Sequence, residues 1–176
     1  MLLDILKDIK VNITEDQVLE RLLDRYRWPY EYPWGQPGVE VITEDGNKHQ
    51  DIFLDDNYLD SKKCINYYQQ GYTLILSNIG SFNKETLLIT NILEMTFKKS
   101  INCNFYFGKG EKSISFPSHN HDYAVIVKNI YGKSKWIIDG KEGIVQDQDV
   151  IWFDKYVNHE VVEISDAKLS MTCNIT

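Results

Sequence analysis

Three histidines in the second half of the chain have a spacing that suits a metal ion. His119 and His121 are separated by one residue, and His159 follows after several short apolar segments. Because alternate residues of a β-strand point to the same face, the first two imidazoles can chelate one ion. A third imidazole from a distant strand completes a facial set with open coordination positions, as in catalytic metal sites. The spacing therefore predicts a catalytic metal centre.

Each histidine also has an ordinary structural interpretation. A His-x-His pair arises by chance, and His159 alone is typical of a packed or surface histidine. The fourth histidine, His49, lies far from the others in sequence and is expected to stand outside the site. Imidazole ligands accept Fe, Zn, Ni or Cu, so the pattern does not identify the metal.

Short alternating β segments divided by Gly, Asp and Asn carry these histidines. The predicted strands are residues 101–107, 121–130, 134–139, 143–145, 149–154, 159–164 and 168–175. Six or seven short strands at this spacing indicate a sandwich or barrel. We therefore expect a β body over residues 71–176, which includes a run of β-forming residues at 72–76.

Residues 1–70 precede this body as a helical and irregular lead-in. Thr14 and Gln17 resemble a capping box before an apolar stripe at helical spacing, which predicts a helix. The aromatic, proline-rich segment 28–38 cannot be a regular helix, and either packs over the core or acts as a substrate-facing lid. Strand-like pieces are predicted at residues 39–42 and 51–54.

Two more helical segments are expected. One begins after Ser81 or Asn83 and ends near Lys98, where a cation suits the helix dipole. The other is the amphipathic segment 2–9, which we expect to pack on its own barrel. A homodimer formed through this segment or through an edge strand is the alternative.

The composition fits one domain spanning residues 1–176. The chain is 43% hydrophobic and 12% aromatic, which is enough for a sizeable core. Acidic residues outnumber basic residues by 26 to 19, and a net charge of −7 disfavours a nucleic-acid partner. No apolar run approaches the roughly 20 residues that span a bilayer, so no membrane partner is expected. Three scattered cysteines and the lack of a signal-peptide pattern indicate a reduced, cytoplasmic protein.

Several short motifs recur in a fixed order around the histidines. They are N-x-Y at Asn104 and Tyr106, F-P-S-H at Phe116 to His119, a Gly and a Trp at Gly132 and Trp136, and DVIWFDKYVNHEVVEIS at 149–165. In this order, about residues 70–175 resemble the cupin-4 branch of the JmjC-type oxygenases, the group that contains the ribosomal-protein hydroxylases. The fold of that family is a double-stranded β-helix, the cupin jelly roll, and the resemblance implies this mainly β fold preceded by N-terminal helices.

The resemblance also implies a function. It predicts a non-haem Fe(II) oxygenase that uses 2-oxoglutarate, with His119, His121 and His159 as metal ligands and catalytic centre. The family positions that line the co-substrate pocket correspond here to Asn104, Tyr106, Ser134 and Thr172. The expected substrate is a peptide side chain or a small molecule, and the absence of further domains after the last strand disfavours a large ribosomal target.

Two departures from the family pattern bear on the chemistry. Family members usually present H-x-D, whereas His121 stands at the Asp position and gives the site one more positive charge. The neighbouring Asp122 should face away from the ligands, as a supporting group or a surface charge. The lysine that binds the distal carboxylate of 2-oxoglutarate falls at Ser134, and strand alternation points Lys133 and Lys135 to the other face unless the strand slips by one residue.

Three functions therefore stay open. The first is hydroxylation that depends on 2-oxoglutarate. The second is a three-histidine cupin dioxygenase or isomerase in which the substrate itself chelates the metal, an alternative favoured by His121 and Ser134. The third is a non-catalytic binding module with segment 28–38 as its contact surface. Tyr123 shares a face with the histidine pair and either lines the pocket or is an ordinary core tyrosine.

Overall fold

The computed structural model describes residues 1–23, 38–55, 58–114 and 116–176, so nearly all of the aromatic segment 28–38 lies outside the described residues. The helices are α1 (Leu2–Asp8), α2 (Glu15–Leu23), α3 (Ser61–Gln69) and α4 (Lys84–Phe97). The strands are β1 (Val39–Ile42), β2 (Thr73–Leu76), β3 (Ile101–Gly108), β4 (Ala124–Tyr131), β5 (Ser134–Ile138), β6 (Lys141–Val145), β7 (Val150–Phe153), β8 (His159–Ile164) and β9 (Lys168–Ile175).

The described strands form two antiparallel sheets that pack face to face. The larger sheet has the strand order β1-β2-β3-β9-β4-β7, and the smaller has the order β6-β5-β8. The chain crosses repeatedly between the two sheets, and its last strand, β9, inserts between β3 and β4. This arrangement is a double-stranded β-helix, the jelly roll of the cupin fold, and confirms the predicted fold class with helices ahead of the strands.

Local sequence signals explain the helix boundaries. Thr14 and Gln17 form the predicted capping box, with the Gln17 amide donating to the Thr14 hydroxyl at 3.2 Å and the Thr14 amide donating to the Gln17 side chain at 2.9 Å. Asn83 caps α4 by accepting the Thr86 amide at 2.9 Å. The helix ends where Lys98 adopts a left-handed conformation, with φ of 57°.

The chain between β1 and β2 differs from its prediction. Residues 51–54 form only an isolated antiparallel bridge, between Phe53 and Leu59, in place of a strand. The amides of Leu54 and Asp60 donate to the carbonyls of Tyr58 and Ile52 there, both at 2.8 Å. The helix α3 that follows was not predicted. Its first turn is capped by Asp60, whose carboxylate accepts the Lys63 amide at 3.0 Å.

The segment that carries the first two histidines also differs. Strand β4 begins at Ala124 rather than at residue 121, so both histidines precede it. Their backbone instead pairs with the start of β8: His119 and His159 exchange amide hydrogen bonds of 3.2 and 2.9 Å. The Tyr156 amide donates to the carbonyl of His121 at 2.7 Å. These hydrogen bonds hold the two histidine-containing segments side by side.

The larger sheet has two different faces. Its outer face packs against all the described helices and includes the buried side chains Phe105, Phe107, Ile126, Leu169, Met171 and Cys173. Leu6 of α1 is buried in this cluster, so α1 packs on its own sheet. Its inner face meets the smaller sheet through the cluster Val125, Val127, Trp136, Val145 and Phe153. The extensive apolar core therefore lies outside the jelly roll, and the interior retains a cavity.

No helix within the described ranges has the length and apolar character needed to cross a membrane.

Candidate metal centre

The structure brings His119, His121 and His159 together. The centroids of their rings are 4.4 Å apart for His119 and His159, 5.0 Å for His119 and His121, and 5.1 Å for His121 and His159. One ring nitrogen from each lies within 4.8 Å of the others. Since a metal–imidazole bond is about 2.0–2.1 Å long, small side-chain rotations bring all three nitrogens onto one ion.

Hydrogen bonds orient two of the rings. The Nδ1 atom of His119 lies 2.8 Å from the carbonyl of Pro117, and that of His159 lies 2.9 Å from the carbonyl of Val157. A carbonyl oxygen can only accept, so each Nδ1 carries the proton and each Nε2 retains a free lone pair. This is the tautomer in which a histidine binds a metal while its other nitrogen donates to a supporting group.

The environment lowers the pKa of two of the three histidines, His121 and His159. Burial, together with the nearby His119 and His121, lowers the pKa of His159 to about 4, against the raising effect of its bond to Val157. Burial and then the neighbouring His119 also lower the pKa of His121. Because a metal ion competes with protons for the same lone pairs, neutral rings bind it more readily at neutral pH.

Aromatic side chains enclose the histidines. The ring of Phe153 lies 4.1 Å from that of His159, and the ring of Trp136 lies 6.4 Å from it on a nearly parallel plane. Tyr123 stacks on His121 with centroids 4.8 Å apart. An apolar shell of this kind limits water access and lowers the local dielectric constant, which strengthens interactions with a bound ion.

A cavity of about 290 Å³ opens in front of the three rings, between the two sheets. This is near the lower limit of about 300–1,000 Å³ for small-molecule sites, so the cavity suits a small molecule or a single side chain. The described polar residues that line it, besides the histidines, are Glu40, Lys48, Thr73, Tyr106, Ser113, Glu160, Lys168, Ser170 and Thr172. The cavity is therefore lined by the three histidines together with both acidic and basic side chains.

Lys168 is one of the cavity residues that were not predicted from the sequence. It is 6% exposed, and its Nζ lies 5.4 Å from the centroid of the Trp136 ring, which in turn contacts His159. Burial lowers the pKa of Lys168 to about 8. Within the described residues no carboxylate lies at ion-pair distance from it. Strand alternation was the available signal, because Lys168 shares a face of β9 with Thr172.

The other predicted co-substrate residues have different positions. Tyr106 and Thr172 line the cavity. The described lining does not include Asn104 or Ser134. The side-chain oxygen of Asn104 accepts the Asn78 amide at 3.4 Å, and the hydroxyl of Ser134 accepts the Trp136 indole N–H at 2.9 Å. Ser134 therefore supports a cavity wall rather than facing a ligand.

The lysines that flank Ser134 point away from the cavity. Lys133 is exposed, and Lys135 pairs with Glu142 at 2.8 Å, so the strand has not slipped to bring either one inward. His49 stacks on Tyr67 with centroids 4.0 Å apart, and Asp122 is exposed. Within the described part of the chain, neither His49 nor Asp122 joins the histidine cluster.

Comparisons with known proteins found no matching family model and no significant match among curated proteins. Among solved structures, the chain is similar to the DMSP lyase DddQ of Ruegeria pomeroyi, with 11% identity, a TM-score of 0.40, and coverage of 44% of this chain and 39% of the lyase. It is similar to a salicylate 1,2-dioxygenase of Pseudaminobacter salicylatoxidans, with 9% identity, a TM-score of 0.39, and coverage of 43% and 21%. It is also similar to EutQ of Clostridium difficile, with 14% identity, a TM-score of 0.38, and coverage of 58% and 68%. The chain thus matches less than half the length of the lyase and the dioxygenase, and these likenesses carry no argument about activity.

Proposed function

We propose that this chain is a mononuclear non-haem Fe(II) oxygenase that uses 2-oxoglutarate to hydroxylate a small molecule or a single peptide side chain. The observation that supports it best is Lys168, a buried cation that faces the cavity beside the histidine cluster.

His119, His121 and His159 are the residues that would hold the metal. Their converging nitrogens, the Nδ1 hydrogen bonds of His119 and His159 to carbonyls, and the lowered pKa values of His121 and His159 fit a divalent ion with open coordination positions. When bound, Fe(II) supplies the redox chemistry by which O₂ is activated. The chain contributes the orientation of the ligands and an aromatic enclosure that restricts water.

The proposal that the chain binds 2-oxoglutarate is argued from the positive charge of Lys168. An ammonium group buried without a counter-charge is unfavourable in the free protein, and a ligand carboxylate that pairs with it removes that cost. 2-Oxoglutarate carries an α-keto acid that can chelate the metal and a second carboxylate that would reach Lys168. The hydroxyls of Ser170 and Thr172 lie on the same face of β9 and offer hydrogen bonds along the way.

Tyr106 fits the same site as a neutral hydrogen-bond donor. Burial, with smaller contributions from Tyr123 and Glu40, raises the pKa of Tyr106 to about 12. Its phenol therefore keeps its proton at neutral pH and can donate to an oxygen of a bound acid.

A second candidate is a three-histidine dioxygenase or isomerase that does not use 2-oxoglutarate. It is favoured by the third imidazole, since no carboxylate joins the cluster within the described residues. In this case the acid held at Lys168 would be the substrate itself, and it would chelate the metal directly.

One experiment tests the proposal. The full chain is loaded with Fe(II) without oxygen, and the dissociation constants of 2-oxoglutarate and pyruvate are measured by calorimetry. Pyruvate has the same chelating end but no second carboxylate. Lys168→Met should weaken 2-oxoglutarate binding by about tenfold or more and change pyruvate binding less than about twofold. Admission of O₂ should then convert 2-oxoglutarate to succinate and CO₂.

The outcomes separate the two candidates. Tight 2-oxoglutarate binding that depends on Lys168 and is followed by succinate formation supports the oxygenase. Binding of the acid without any succinate, with or without a candidate substrate, moves the assignment to the second class. Equal effects of Lys168→Met on 2-oxoglutarate and pyruvate would contradict the role given to this lysine.

A further inference from the structure

A second charged side chain faces the cavity from the opposite region of the large sheet. Glu40 lies on β1, where it pairs with Ile75 of β2, and it is 6% exposed. Both residues line the cavity. Tyr106 follows Ile75 in the next strand, so Glu40, Ile75 and Tyr106 form one row across the inner face.

Glu40 and Lys168 are separate sites. Strands β2 and β3 lie between β1 and β9, so three strand spacings of about 4.8 Å separate the backbones of the two residues by about 14 Å. Neither residue pairs with the other among the described ion pairs. Glu40 and Lys168 therefore place a negative and a positive group at different points of the cavity wall, which Lys48 and Glu160 also line.

The partner of Glu40 is Lys48, a lysine at the surface. The Nζ of Lys48 lies 2.5 Å from Oε1 of Glu40, but the Lys48 side chain is 46% exposed whereas that of Glu40 is 7% exposed. Lys48 follows the Asp45–Gly46 turn and reaches the cavity from its rim. The pair thus joins a fixed, buried carboxylate to an ammonium group that can move into water.

Resting on the function proposed above, we propose that Glu40 binds a cationic group of the primary substrate, a primary ammonium or a guanidinium, and that Lys48 occupies this position in the free protein. Lys48 can be exchanged for a ligand cation, because its long, half-exposed side chain moves its charge to solvent while the incoming cation takes its place beside Glu40. Glu40 cannot leave, because it is fixed on β1 and a buried carboxylate must remain paired.

The same arrangement selects against other substrates. A neutral group that displaced Lys48 would leave the Glu40 carboxylate buried without a partner, and an anionic group would be repelled by it. The apolar side chain of Ile75 lies beside Glu40 on the cavity wall and suits a hydrocarbon stem. The substrate class is therefore an amine or guanidine on a short apolar chain, free or as a peptide side chain.

The test uses n-butylamine and n-butylguanidine as probes, with the neutral pentanamide as their control. Binding to the full, Fe(II)-loaded chain is measured by calorimetry without oxygen, at neutral pH where both probes are charged. The variants are Glu40→Gln and Lys48→Met. The matched control is Glu142→Gln, which breaks the exposed ion pair with Lys135 away from the cavity.

The charged probes should bind at least about tenfold more tightly than pentanamide. Glu40→Gln should remove that preference, Lys48→Met should strengthen binding of the charged probes by about threefold or more, and Glu142→Gln should change nothing. The tighter binding expected for Lys48→Met is diagnostic, because an ion pair that only stabilised the fold would give no increase in affinity for the charged probes. This variant also retains Glu40, so it decides the matter if Glu40→Gln fails to fold.

Equal binding of amine and amide, or loss of amine binding in Lys48→Met, would overturn this inference. Repeating the amine titration with metal-free chain separates it from the proposed function. Glu40-dependent amine binding without any Lys168-dependent 2-oxoglutarate binding leaves the cation site standing and rejects the co-substrate. Lys168-dependent binding of 2-oxoglutarate without Glu40-dependent binding of the amine rejects the cation site and leaves the co-substrate proposal in place.

Discussion

The two faces of the six-stranded sheet each bury a lysine, in opposite ways. On the outer face, the Nζ of Lys128 donates to the carbonyls of Leu6, Lys7 and Gln148 at 3.1, 3.3 and 2.8 Å. On the inner face, Lys168 lies over the Trp136 ring and has no described carboxylate beside it. The first lysine has its hydrogen-bonding capacity filled by the protein. The second is the cation that we propose to pair with a ligand carboxylate.

The surroundings of Lys128 and Lys168 also differ, because one face packs against helices and the other borders the cavity. The outer face packs against the helices, and Phe107 there is fully buried and stacks on Tyr68 with centroids 4.0 Å apart. The inner face borders the cavity, which Glu40, Tyr106 and Lys168 line. Substitutions on the outer face should therefore change stability, whereas those on the inner face should change ligand binding.

The largest effect is expected on the outer face. Phe107→Ala removes a fully buried ring and should lower the free energy of unfolding by about 3–5 kcal/mol. Urea denaturation measures this change. The metal content per folded molecule should remain that of the unaltered chain. A selective loss of metal in the folded fraction would contradict the separate roles of the two faces in stability and in binding.

Lys128→Met should have the next largest effect. It removes the Lys128 donor from the carbonyls of Leu6 and Gln148, leaves the Lys7 carbonyl with the Lys10 ammonium at 3.1 Å, and breaks the link between α1 and the turn before β7. The free energy of unfolding should therefore fall by about 2–3 kcal/mol. Thermal or urea unfolding measures it, and hydrogen exchange of α1 should increase. An unchanged stability would mean that the three hydrogen bonds do not hold the helix.

Lys168→Met should change the free energy of unfolding in the opposite direction, by raising it. Burial lowers the pKa of Lys168 from its ordinary 10.5 to about 8, so the folded protein binds fewer protons than the unfolded chain between these values. Its stability therefore rises with pH across this window. The methionine variant should be more stable at pH 7 by about 1–3 kcal/mol. That advantage should shrink as the pH rises from 8 to 10.

Unfolding of both proteins at several pH values measures the difference, which cancels the titration of groups that they share. A methionine variant that is less stable at pH 7 would show that Lys168 is held by the protein itself, like Lys128.

The smallest effect is expected for Ser134→Ala. It leaves the buried indole N–H of Trp136 without its acceptor and should cost about 1 kcal/mol of stability. Binding of 2-oxoglutarate should be unchanged, since the hydroxyl faces the indole. A clear loss of 2-oxoglutarate affinity would instead restore Ser134 to the co-substrate pocket.

Much of the fold could be predicted from short-range patterns. The bounds of β8 and β9 agree with prediction, because each is a run of β-forming residues bounded by turn residues. The start of β4 was misplaced, because hydrogen bonds to β8, distant in sequence, determine where the histidine pair ends and the strand begins. Helix α3 was missed, since its polar first turn resembles a loop.

The site was predictable to the extent that it follows strand alternation and a family pattern. The spacing singled out the three histidines that the fold brings together. In the family pattern the lysine corresponds to Ser134, whereas the buried lysine that lines the described cavity is Lys168, on another strand. Glu40 could not be found, because its place depends on the pairing of β1 with β2 across more than thirty residues.

The measurement that tests the central claim most directly is the metal content of the chain and its single histidine variants. Chain reconstituted anaerobically with Fe(II) should hold one ion, and His119→Ala, His121→Ala and His159→Ala should each lose it. His49→Ala, a partly buried control outside the cluster, should retain it. Metal retained by the three variants, or lost only in His49→Ala, would contradict the assignment of the metal centre to these histidines.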